Sequence, residues 1–134
     1  MKKNWKVKVL GLLLCLVLGA GCVETALMTV GAVGAVGAYK WIEGTMEKEY
    51  PRPLPDVWQA VMATVEHFRW KIAEKQITTT DGKLIAVKPD GKDVKITLVA
   101  EPNMITKVGV RFGMFGDREA SYMFHTQIMK ELGL

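Results

Sequence analysis

Apolar and polar positions fall into two periods along the chain. Val57, Trp58, Val61, Met62, Val65 and Phe68 recur at spacings of three and four, which predicts an amphipathic helix with one wide apolar face. Pro55 and Asp56 suit its start, and it ends near Arg69. Ahead of it, Gly44 to Tyr50 reads as a short charged strand suited to a sheet edge, and Pro51, Pro53 and Pro55 interrupt regular structure. Four strand-like runs follow. Trp70 to Thr79 is the first, and Asp81-Gly82 is a hairpin signal leading into Leu84 to Lys88. Asp90-Gly91 marks the next turn. Val94, Ile96, Leu98 and Ala100 then alternate with Lys95, Thr97, Val99 and Glu101, the pattern of a half-buried strand. After a Glu101-Pro102-Asn103 turn, Met104, Thr106, Val108, Val110 and Phe112 form one face of the last strand. Asp117 opens a second helix with Ala120, Phe124, Ile128 and Leu132 inward. The predicted domain, residues 44–134, is α+β: an antiparallel sheet of about five strands with two helices on one face, in the order β-α-β-β-β-β-α.

The N-terminal third is organised differently. Residues 1–8 are basic, Val9 to Leu18 is an apolar run of ten, and Gly19-Ala20-Gly21-Cys22 follows. That order reads as a secretory signal peptide over residues 1–21. The apolar run is about half the ~20 residues that a membrane-spanning helix needs. Small residues directly before Cys22 resemble the lipobox of bacterial lipoproteins, with Gly19 standing where that family favours Leu. The resemblance implies lipid attachment at Cys22 and a membrane partner through that lipid. Because Val23, not Asp, follows the cysteine, it also implies the periplasmic face of the outer membrane in a diderm host. An uncleaved signal anchor and a buried structural cysteine are the competing readings. Cys15 follows Leu12 to Leu14 and is a poor rival for acylation.

Residues 22–43 read as the lipidated N-terminus and a Gly/Ala-rich tether. Thr25 to Tyr39 is uncharged, with Gly31, Gly34 and Gly37 in a Gly-Ala-Val repeat that matches no phosphate loop. Close packing against a bilayer or a second copy and a flexible apolar tether both stay open. Tyr39 and Trp41 follow, where amphipathic rings sit well at a membrane interface.

Charge removes one class of partner. The 134 residues hold 18 Lys or Arg and 14 Asp or Glu, a formal net charge of +4. Lys2, Lys3, Lys6 and Lys8 lie in residues 1–21, which hold no acid, so the remainder carries 14 of each sign. A neutral mature chain has little to offer a nucleic acid.

Candidate chemistry is sparse. Ser121 is the only serine, and His67 and His125 are the only histidines. Asp117, Ser121 and His125 fall at i, i+4 and i+8 on one face of the last helix. In a working triad the acid bonds the far nitrogen of the histidine, whereas here the serine lies between the two. The pattern therefore reads as a solvated helix flank with Asp117 as the N-terminal cap, and no catalytic residue is assigned. Two histidines 58 positions apart give no metal-ligand cluster of familiar spacing, so neither a metal nor a cofactor is assigned. Trp58 reads as core, and Arg111 as pointing away from the core beside Gly113 to Gly116, within reach of a partner's carboxylate.

The Cys22 lipobox, the Gly31-to-Tyr39 run, Tyr50-Pro51, Asp56-Val57-Trp58, Asp81-Gly82, Asp90-Gly91 and the segment from Val110 to Asp117 together resemble the DUF3568 lipoproteins, a bacterial group without an assigned activity. Tyr50 to Val87 is also similar to the helix-grip domains found in a lipoprotein of the outer-membrane barrel assembly machine. Neither likeness implies a catalytic residue. The function expected first is a non-enzymatic envelope interaction or scaffold module with a protein partner. A carrier of a small apolar ligand is second, with Met46, Met62, Met104, Met114, Met123 and Met129 as a candidate lining. A hydrolase is a distant third.

Overall fold

Two-residue periodicity yields six strands where five were expected. The structure, a computed structural model, describes residues 38–134. The signal segment, Cys22 and the Gly31, Gly34 and Gly37 repeat lie outside the described residues. The strands are β1 (Lys40–Ile42), β2 (Thr45–Tyr50), β3 (Lys71–Ile77), β4 (Asp81–Val87), β5 (Asp93–Glu101) and β6 (Ile105–Phe112). The helices are α1 (Leu54–His67) and α2 (Arg118–Leu132). All neighbours are antiparallel, in the sheet order β1-β2-β6-β5-β4-β3.

The additional strand corrects the placement of Gly44 to Tyr50, which lies inside the sheet between β1 and β6 and not at its edge. Ile42 pairs with Thr45 across a two-residue turn, Glu43-Gly44, in which both φ angles are positive at 48° and 83°. A turn of that hand matches the twist of paired strands. Gly44 adopts it freely, while Glu43 is an uncommon residue there, which hides the hairpin from a search for Asn-Gly or Asp-Gly.

A second correction concerns Asp81-Gly82, which belongs to β4. The β3–β4 hairpin closes through Thr78, Thr79 and Thr80. The Thr78 hydroxyl donates to Asp81 Oδ1 at 2.6 Å and accepts the Asp81 and Thr80 backbone N–H groups at 3.1 and 3.2 Å. Gly82 is needed for packing: a Cβ there would lie 2.9 Å from Cζ3 of Trp58. Asp90-Gly91 does form its turn, with the Lys92 N–H bonded to Asp90 Oδ1 at 3.0 Å.

Alternation sorts the sheet into two faces. Met46, Tyr50, Val108, Val110, Ile96, Leu98 and Leu84 point toward the helices and are buried. Thr45, Glu47, Lys107, Arg111, Lys95, Thr97 and Lys83 share the opposite, open face by register. The two helices cover the first face. Pro55 sits in the first turn of α1, where its missing N–H costs nothing. Arg69, at φ 57°, turns the chain out of that helix toward β3. Asp117 caps α2, its Oδ1 accepting the Ala120 N–H at 3.0 Å, and Gly133 in the left-handed region ends it. Phe124 and Ile128 reach the core, where Trp70 stacks on Phe124 with centroids 5.5 Å apart.

Edge strand β3 overhangs the helix layer and is exposed along its whole length. A bulge between Ile72 and Glu74 interrupts its pairing. With Lys71, Glu74 and Lys75 beside it, the bulge discourages further strand addition. At the other side of the molecule, the β6–α2 loop crosses the β1–β2 turn at backbone contact. A Cβ on Gly116 would lie 2.1 Å from the Gly44 carbonyl oxygen.

Candidate functional site

The one Ser/His/Asp grouping in the sequence is split by the fold. Asp117 is exposed and occupied with its cap, while Ser121 and His125 are fully buried. The expected solvated flank is thus corrected: Ser121, Phe124, His125 and Ile128 form the inward stripe of α2. The cause is a tertiary partner 75 positions away. Tyr50 on β2, also fully buried, places its hydroxyl 2.7 Å from His125 Nδ1, and the Met46 carbonyl lies 3.0 Å from Nε2.

These contacts fix the tautomer. A carbonyl only accepts, so Nε2 carries the proton and donates to Met46, and Nδ1 accepts the Tyr50 hydroxyl. The ring is neutral. Burial pushes its pKa down to about 4, and the Lys48 ammonium adds to that, together outweighing the Met46 carbonyl, which favours protonation. Burial likewise raises the Tyr50 phenol well above its ordinary value. Lys48 lies 4.5 Å from the centre of the Tyr39 ring and is itself pushed down by burial. Both His125 nitrogens are committed within the core, and Ser121 Oγ has no hydrogen-bond partner. The hydroxyl bonded to the imidazole is that of Tyr50, and Ser121 is not paired with His125 as a serine nucleophile would be.

Tyr39 packs on Tyr122 and His125 with centroids 5.0 and 5.7 Å away, and Trp41 lies beneath Arg118 at 5.0 Å. Arg111 faces the open side of the sheet and donates to the Met114 carbonyl. Among the described residues no three His, Cys, Asp or Glu side chains gather as a metal site requires, and no helix is long and apolar enough to cross a membrane.

A different place has the shape of a binding site. Where β3 overhangs α1, a groove of about 740 Å³ opens between Trp58, Met62, Val65, Trp70 and Ile72, with Gln59, Glu66 and Arg69 along it. Val65 is its buried floor, Ile72 is 42% exposed, and Trp58 is only partly buried, seated over Gly82. Trp58 packs against the core, as the sequence reading expected, and its partly exposed side also forms a wall of the groove. The sequence signal for the site is faint, since Ile72 belongs to a strand whose overhang depends on sheet order. The methionines do not converge: Met62 lines this groove, Met46 is core, and Met104, Met114 and Met123 are exposed at separate places.

An antiparallel sheet carrying two helices on one face, with an open apolar groove under its edge strand, defines a small α+β domain. The chain belongs to the DUF3568 family, described as a protein of unknown function, whose family model matches residues 7–131. That span includes Cys22 and nearly all of the described domain. No curated protein matches the chain.

Proposed function

We propose that this is a bacterial lipoprotein of the cell envelope, anchored through Cys22 and facing the periplasm from the outer membrane. Its folded domain acts as a non-catalytic interaction module for an envelope protein. The observation that carries this reading is the α1–β3 groove, apolar and walled by Trp58 and Trp70, in a chain whose only serine, Ser121, and whose His125 are buried in the core, with His67 left exposed. Aromatic anchors in open, partly desolvated grooves are a common basis of protein recognition. The volume also lies within the range of small-molecule sites, which favours a small apolar ligand as the second reading.

Two measurements test the proposal. Intact mass of membrane-extracted protein should equal residues 22–134 plus acyl and diacylglycerol groups, and a Cys22→Ser chain should lack the lipid. Photo-cross-linkers at Met62 and, as a control on the open face, at Thr97 then probe the groove in cells. A protein adduct at Met62 that is lost with Ile72→Asp supports the module. Adducts at Thr97 but none at Met62 would sink it, and a lipid or small-molecule adduct at Met62 would transfer the argument to the carrier.

A further inference from the structure

The most exposed large apolar side chains among the described residues stand next to each other. Phe115 is 86% exposed and Met114 76%, both in the β6–α2 loop. The loop is held from beneath. Gly113 and Gly116 adopt positive φ angles of 66° and 79°, Gly116 rests on the Gly44 carbonyl, and Arg111 bonds the Met114 carbonyl. A rigid base therefore presents two side chains that nothing in the core needs. On the adjoining β1, Ile42 is 49% exposed and Trp41 is half-buried beneath Arg118.

We propose that this loop inserts Met114 and Phe115 into the surface of a lipid bilayer, with Trp41 at the level of the headgroups. The inference deepens the anchored reading above and rests on it. Three features select a bilayer. The apolar pair protrudes, which suits a medium that yields around it. A tryptophan beside such a tip occupies the amphipathic boundary zone well. The chain from Cys22 also joins the domain at β1, beside this loop.

The surrounding charge specifies the lipid. Arg111, Lys92 and Arg118 flank the loop, and Glu43, Asp93 and Asp117 lie among them, so the collar is balanced. Insertion is then driven by apolar contact, requires no anionic lipid, and is insensitive to salt.

The test uses the full lipidated chain in phosphatidylcholine vesicles, with and without acyl-brominated phosphatidylcholine as a tryptophan quencher. Met114→Trp reports on the loop. Met104→Trp, at a position 67% exposed and at the opposite end of β6, is the control, and wild type supplies the background. Circular dichroism checks that each variant is folded. The expected result is a blue-shifted emission for Met114→Trp that loses most of its intensity in brominated vesicles. It should persist at high salt and be abolished by adding Phe115→Ser, while Met104→Trp stays unquenched. Absent quenching at position 114 in vesicle-bound protein overturns the proposal, as a loop covered by a protein would also show. Equal quenching at both positions overturns it too. Vesicle flotation reads the anchor separately: wild type that fails to float overturns the anchored reading, and flotation without quenching overturns the loop alone.

Discussion

Lowering the pH should weaken the fold through one side chain, His125. Its imidazole is held neutral between Tyr50 and Met46, with a pKa of about 4 against an ordinary value of 6.5. The unfolded chain binds the proton first as pH falls, so stability drops from about pH 6.5 and stops dropping from this group below about pH 4. Each pKa unit corresponds to about 1.4 kcal/mol, so the window removes about 3 kcal/mol. That is a large share of the ~5–15 kcal/mol that holds a small domain together. Urea unfolding followed by tryptophan emission, stepped between pH 7.5 and 4, measures it. His125→Gln is the comparator, because an amide can still donate to the Met46 carbonyl and accept from Tyr50 without titrating. His67 is exposed in both proteins, and the carboxylates common to both cancel in the difference. The wild type should lose about 3 kcal/mol more than the variant across the window. Parallel curves, or a His125 ring titrating near 6.5 by NMR, would refute the buried neutral imidazole.

Other substitutions read other parts of the packing. Ser121→Ala removes a buried hydroxyl that has no partner and should leave stability unchanged or raise it by up to about 1 kcal/mol. A loss above that in thermal unfolding would show that the hydroxyl is bonded. Gly116→Ala drives a Cβ against the Gly44 carbonyl at a positive φ and should cost about 3 kcal/mol or more by urea unfolding; a neutral result would mean the loop does not rest on the β1–β2 turn. Gly82→Ala should cost only about 1–2 kcal/mol, since the Trp58 ring can swing away, but it should change tryptophan emission and weaken groove binding. Unaltered emission would contradict the seat assigned to Trp58.

The α+β class, both helices and strands β4, β5 and β6 were legible because their apolar positions follow the period of the element and face one shared core, while β3, exposed along its length, was legible only as a strand-like run. What escaped depended on distant partners. Polarity placed Ser121 and His125 at the surface, and only Tyr50, arriving from β2, makes burial of the imidazole tolerable. Gly82 looked like a turn residue because its reason, the Trp58 ring, lies across the helix–sheet interface. β1 is three residues long, too short for alternation to register, and its Glu43-Gly44 turn is an unusual spelling of a common geometry. The groove was invisible for the same reason. It exists because β3 extends past α1, and that follows from strand order, which no local window contains.

The bulged strand β3 has a consequence for how selectivity would be encoded. A smooth edge accepts any extended segment through backbone hydrogen bonding and so discriminates poorly among sequences. Here the ladder is broken between Ile72 and Glu74, and lysines flank the break. A partner lying alongside would be recognised by what its side chains offer to Trp58, Met62 and Trp70. Substitutions in those few residues would then retune the choice of partner while the sheet itself stayed the same.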